Sequence, residues 1–450
     1  MADETVVNFE VVTRADDGDK RSIFAPEAVP AIGNLDAYRA NRERSILAAR
    51  KLANNGVTIS DIGDFSISAS CPAGRFEALF GTKLSEQELR DPELLPEGYR
   101  FLAASEDAPW TLPAADGPDQ LIENAYTQAD PVYFAGERPM PPLWTDKFRL
   151  RVPGAVAQIM NASSVHRRGI TGKGIRVAMP DSGFYHHPYF QKQGYNFLAV
   201  TAPDVTDHAS DSSGHGTGEC ANLFATAPRI NFIGVKAGNS TLAFKTAVAL
   251  RPQVMTNSWG FHVDFPQTQM PNWLKPLHLA ILDAVAQGIV VCFSAGNGHL
   301  AFPANMPEVI AVGGVHVDKD LNYEASDYAS SFVSNWFPGR RVPDICGLVG
   351  MRPTADYIVL PVQDSAGLEK QDGWGAFSGT SAACPMVAGV CALLKEADPS
   401  LTPDQVRSLL QFTARDIAQG QSAYHPAGLG PDLATGFGLV NAARAIEAIL

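Results

Sequence analysis

The chain has 450 residues, enough for two or three domains, and its 45% apolar and 18% charged residues describe a chain that buries a large core. Intrinsic disorder is excluded on that balance, and no apolar run approaches the ~20 residues needed to span a bilayer. The net charge of −13 is concentrated at the front: residues 1–150 hold 25 acids and 15 bases, against 23 and 20 in the remainder. An acidic chain without a basic stripe excludes nucleic acid as the expected partner, and the missing apolar run excludes a membrane. Met1-Ala2-Asp3-Glu4 carries acids where an export leader carries bases. The expectation is therefore a cytoplasmic protein, with secretion by another route left open.

Residues 1–105 read as a small α+β unit. Val6–Val12 alternates as a strand, and residues 35–55 read as a helix with Ile46, Leu47, Ala49 and Leu52 on one side. Asn55-Gly56 ends that helix, Phe65–Ala69 alternates as a half-buried strand, a short helix follows near Arg75–Phe80, and Tyr99–Leu102 closes the series as a strand. Residues 106–150 are rich in proline and lack periodicity, which predicts a linker or extended arm.

From 151 to 450 the pattern changes. Short apolar runs at Ile175–Met179, Ile230–Val235, Val254–Asn257, Ile289–Phe293 and Val309–Val312 alternate with helical stretches near 217–225, 241–249 and 276–287. This predicts a three-layer αβα domain around a buried, mostly parallel sheet. Thr402-Pro403-Asp404-Gln405 is a helix start with a capping box. The six cysteines show no metal-knuckle or CxxC spacing, which points to buried thiols. His186 and His187 read as loop histidines beside Pro188, because no acid or cysteine is spaced to share a metal with them.

In open parallel sheets, reactive groups collect beyond the carboxyl ends of the strands. Asp181 follows the run 175–179 directly. His215 opens a small-residue helix from Ser213-Gly214, and Ser381 lies in Gly379-Thr380-Ser381-Ala382 at the start of another helix. A serine hydroxyl needs a base to become a nucleophile, and a histidine needs an acid to hold its tautomer. Ser381, His215 and Asp181 meet that need. Asn297, just past the run 289–293, is placed to donate to an oxyanion; between Gly296 and Gly298 it also reads as a turn asparagine at positive φ. Cys384 lies inside the helix that Ser381 opens and reads as core.

These segments resemble the subtilase family of serine peptidases. Asp181-Ser182-Gly183, Gly214-His215-Gly216-Thr217, Gly379-Thr380-Ser381-Ala382 and Ala295-Gly296-Asn297 carry the likeness, in the order Asp, His, Ser. The resemblance implies a subtilisin-like fold over about 150–450, a serine endopeptidase acting on peptide or protein substrates, and no cofactor for the chemistry. It also implies substrate-binding positions at Ser258, Trp259 and Gly260 and at Ser294, Ala295 and Gly296. Structural calcium is frequent in the family, but no acidic cluster here maps onto a site. Residues 1–105 are similar in size and element order to a subtilase prodomain, which would make the N-terminal domain an intramolecular inhibitor. Two other readings stay open: a dedicated processing peptidase for one leader or partner protein, and a non-catalytic binding module on a subtilase scaffold. Met179-Pro180 before Asp181, and Met386 after Pro385, depart from the family's usual residues.

Overall fold

The structure is a computed structural model, and it describes residues 5–14, 21–25, 27–91, 95–104, 121–128, 148–262, 269–363 and 372–450, of which 87–91, 95–101 and 104 are described by their backbone alone. The N-terminal unit is built on β1 (Val6–Thr13), α1 (Arg42–Asn54), β2 (Thr58–Ile62), β3 (Ile67–Pro72), α2 (Ala73–Phe80) and β4 (Ile122–Thr127). The strands form one antiparallel sheet in the order β2-β3-β1-β4. Leu84–Asp91 and Leu95–Ala104 make a separate hairpin.

Alternation along β1 and β3 gives the sheet two different faces. Phe9, Val11, Ile67 and Ala69 meet Ala48 and Leu52 of α1 and Phe76 and Phe80 of α2 in one small core. Glu10, Val12, Ser66 and Ser68 point the other way and are also buried. The single helix expected over 35–55 is divided. Ile32–Tyr38 is a 3₁₀ turn, and α1 starts only after Asn41, whose side chain accepts from the N–H groups of Glu43 and Arg44. The expected arm over 106–150 is corrected at Ile122–Thr127. Ile122, Ala125 and Tyr126 are buried there, and the segment pairs with β1.

The larger sheet has β5 (Arg176–Asp181), β6 (Phe197–Thr201), β7 (Asn231–Lys236), β8 (Val254–Asn257), β9 (Val290–Ser294), β10 (Ile310–Val317), β11 (Tyr323–Ala325) and β12 (Ile345–Leu348). The order is β11-β10-β9-β8-β5-β7-β6, with β12 also on β10, and every pairing is parallel except β10 with β11. Helices α3 (His215–Thr226), α4 (Ser240–Ala249), α5 (Lys275–Ala286) and α6 (Thr380–Ala397) cover it. Val177, Met179, Val254, Val290 and Cys292 enter the core under α3 and α6. Ala178, Met255, Val291 and Phe293, one residue out of step, enter the core under α4 and α5. The expected three-layer α/β architecture is what the chain forms.

Val12, Ile23, Leu35, Tyr38 and Phe65 of the N-terminal unit belong to that second core, beside Phe244 of α4 and Leu282 of α5. The N-terminal sheet thus lies on α4 and α5 as a further layer. Lys245 of α4 reaches into it, with Nζ 3.0 Å from Asp61 Oδ2, 3.0 Å from Ser68 Oγ and 3.7 Å from Glu10 Oε2. Arg39 crosses the same boundary to Asp283 of α5 at 2.8 Å. All six cysteines are buried free thiols. No described helix is long and apolar enough to cross a membrane.

Candidate active site

Three neighbouring parallel strands, β5, β8 and β9, end at one edge of the sheet. Asp181 is the last residue of β5, Ser258 follows β8, and Asn297 lies three residues past β9. Helices α3 and α6 bring His215 and Ser381 to the same edge with their first turns. His215 Nδ1 lies 2.7 Å from Asp181 Oδ1, both side chains fully buried. Burial alone would pull the imidazole down. The charge of Asp181 and the hydrogen bond to it outweigh burial and hold His215 at about 9.

Ser381 is tied to the end of β8 by a reciprocal pair. Its hydroxyl donates to the Ser258 carbonyl at 3.2 Å, and the Ser258 hydroxyl donates to the Ser381 carbonyl at 2.8 Å. Pro385 explains why that carbonyl accepts from outside the helix. An α-helical N–H at 385 would bond to the carbonyl of 381, and proline has none. Ser381 is also the second residue of α6, where an N–H has no carbonyl four residues back within the helix.

The Asn297 amide is oriented by α6 itself. Its Oδ1 accepts from the Thr380 N–H at 2.9 Å and the Thr380 hydroxyl at 3.2 Å, which fixes Nδ2 as its donor end. A Cβ on Gly379 would lie 2.8 Å from that Nδ2, and Gly379 has φ +98°, so glycine is required. The positive φ angles of this loop fall on Gly296 (+107°) and Gly298 (+85°), not on Asn297. The turn-asparagine reading therefore fails.

Asp211 was not found from the sequence, although it binds both halves of the site together. Its Oδ1 accepts from Ser182 Oγ at 2.8 Å and Ser213 Oγ at 3.3 Å; its Oδ2 accepts from the Thr217 N–H at 2.9 Å and hydroxyl at 2.5 Å. The Ser182 hydroxyl in turn accepts from the Gly216 N–H at 3.0 Å. One buried carboxyl thus fixes the residues flanking both Asp181 and His215. Burial pushes its pKa up and these bonds oppose the rise. The signal available in the sequence was an acid four residues before the histidine in a Ser/Gly loop, which no motif singles out.

Of the expected substrate-binding residues, Ser258, Trp259 and Gly260 follow β8, while Ser294 ends β9 and Ala295 and Gly296 continue it. The Trp259 side chain is committed to packing: it is buried, donates from Nε1 to the Pro180 carbonyl at 3.1 Å and meets Phe293 edge-on. Only its backbone is left for a peptide. Gly260 passes the Phe302 carbonyl so closely that a Cβ would come within 2.8 Å of it. Pro180 is accommodated because β5 pairs with β8 only as far as Ala178. Cys384 is buried and its thiol is pushed up to about 12 by burial, as a core residue's would be. His186 is exposed as expected, but His187 is buried and caps the helix at Pro188–Gln193 through Nδ1. Among the described residues no three or more His, Cys, Asp or Glu side chains gather to hold a metal ion.

The subtilase family (peptidase S8) matches residues 172–438, the stretch that carries every residue of this site. The chain is 31% identical to serine protease AprX of Bacillus subtilis (strain 168), over 56% of this chain and 64% of AprX. It is 30% identical to subtilisin E of the same strain, over 62% of this chain and 69% of that protein. Alkaline elastase YaB of Bacillus sp. (strain YaB) is 28% identical over 65% of this chain and 70% of its own length. The chain belongs to the subtilase family of subtilisin-like serine endopeptidases. That class needs no cofactor for its chemistry.

Proposed function

We propose that this chain hydrolyses internal peptide bonds of protein substrates with Asp181, His215 and Ser381 as its triad. Ser381 Oγ attacks the peptide carbonyl carbon while His215 Nε2 takes the hydroxyl proton. The Asn297 amide and the Ser381 N–H hold the resulting oxyanion. The C–N bond then breaks, and His215 returns the proton to the leaving amine. Water repeats the cycle to release the acyl group, with Asp181 stabilising the imidazolium in both halves. The observation carrying this reading is the 2.7 Å Asp181–His215 pair at the sheet edge where Ser381 and Asn297 also lie. Backbone at Ser258–Gly260 and Ser294–Gly296 would hold the peptide on either side.

The N-terminal unit is proposed as an intramolecular inhibitor. Its buried contact with α4 and α5 supports this. The Ser381 hydroxyl, engaged with the Ser258 carbonyl, has to turn toward His215 before it can attack. Intact mass after incubation with a fluorophosphonate tests both proposals. A single adduct on wild type and none on Ser381→Ala is expected, forming slowly while the chain is whole and faster once the N-terminal unit is lost. Absence of an adduct in every form would defeat the catalytic reading.

A further inference from the structure

Glu219 lies one helical turn beyond His215 on α3 and is fully buried. Residues four apart share a helix face, so the carboxyl and the imidazole project from the same side of α3. A buried carboxyl is a costly placement unless its oxygens are satisfied. Here Oε2 accepts from Asn222 Nδ2 at 3.0 Å, while Oε1 meets no hydrogen-bond partner among the described residues. Packing therefore does not account for an acid at this position, where an apolar residue would fit α3 better.

Its surroundings do. The charged groups acting on Glu219 are His215 and, more weakly, Asp181 of β5. Glu219 in turn acts on His215, on Cys220 of its own helix and on Cys384 of α6, one turn past Ser381. Asp211, in the loop before α3, is the remaining acid acting on His215. Strand Ile358–Gln363 and helix Gly154–Ile159, which also pack on α3, bring no titratable side chain.

We propose that Glu219 is a positioning residue for the catalytic histidine: a second negative charge that raises the basicity of His215 and steadies the imidazolium formed when Ser381 gives up its proton. This rests on the reading of His215 as the general base. Burial pushes Glu219 up to about 8, against the pull of His215. It ionises in the alkaline range where His215 loses its proton, and the two titrate as a coupled pair.

The test is the titration of His215 by NMR in the full chain, labelled with ¹³C-histidine and carrying Ser381→Ala to prevent autolysis. Glu219→Gln keeps the shape and the acceptor for Asn222, so the chain should fold. The His215 midpoint is expected to fall by about 0.5–1 pH unit, and Glu219→Asp to recover much of the loss. A midpoint within about 0.2 unit of wild type overturns the proposal. In the chain with Ser381 restored, Glu219→Gln should move the acid limb of kcat/KM to lower pH by a similar amount. The plateau kcat should fall by about three- to tenfold with KM unchanged. A uniform loss at all pH values without a moved limb would assign Glu219 to packing and overturn the proposal. If the midpoint moves in a chain whose Ser381 never reacts with a fluorophosphonate, the coupling is real but the catalytic role fails along with the reading it rests on.

Discussion

The four-stranded sheet and the eight-stranded sheet are covered in different ways. Around β5, β8 and β9, helices from the same stretch of chain cover both faces, α3 and α6 on one and α4 and α5 on the other. The N-terminal sheet has α1 and α2 on one face only; its second face, with Glu10, Val12, Ser66 and Ser68, is completed by α4, α5 and Lys245. The first region can bury its core unaided, whereas the second borrows a layer. Such a unit suits the regulatory part proposed for it, because its second face is complete only against α4 and α5.

If labour is divided in this way, substitutions at the large sheet's edge should destroy chemistry, and those at the boundary should change control. Ser381→Ala should lower kcat by about 10⁶, read by peptide hydrolysis. Asn297→Ala should cost about 10²–10³ in kcat with little change in KM. Equal loss in both would mean that Asn297 serves the fold through Thr380 rather than the oxyanion. Asp211→Asn keeps the shape but weakens the bonds to Ser182 and Thr217, and a displacement of the pair by a fraction of an ångström should cost about 10-fold to 10²-fold. Lys245→Glu tests the other side of the comparison. It sets a third acid against Asp61 and the buried Glu10, and should speed fluorophosphonate labelling of the intact chain by about tenfold without changing the activity of chains that have lost the N-terminal unit. An unchanged labelling rate would remove Lys245 from the control.

The smallest effect is on stability against pH. The folded-state pKa of His215 is raised, so its contribution is fully present below its ordinary value near 6.5 and is lost as pH rises through about 9. Over that window the melting temperature of Ser381→Ala should drift down. The activity of wild type should rise over the same window, because only neutral His215 can act as a base. A melting temperature that rose across it would contradict the assignment.

Much of this was legible because local chemistry and global fold agree. Val254–Asn257 reads as a buried strand and is one, and Thr402 caps Pro403–Thr413 with the expected box to Gln405. Asp181 and Asn297 fall at strand ends and His215 and Ser381 at helix starts, where glycine and serine mark the turns. What stayed hidden depends on partners distant in sequence. Thr58–Ile62 has no buried residue and is a strand because β3 lies beside it. Ile122–Thr127 is short, stands in a proline-rich stretch and gains its identity from β1. Asp211 and Glu219 carry no periodic signal, since an acid reads as surface until its neighbours are known. His187 looked like a loop residue because its role as a cap is set by backbone direction, not by composition.

Pro385 has a mechanical consequence. With no N–H to return to the Ser381 carbonyl, the first turn of α6 is fastened to the end of β8 by the Ser258 hydroxyl instead of to the body of its own helix. Ser381 is thereby tied to the sheet. Fraying, bending or rocking of the long helix behind it can be absorbed at the proline, and the spacing between Ser381 and the strand ends holding Asp181 and Asn297 is left undisturbed.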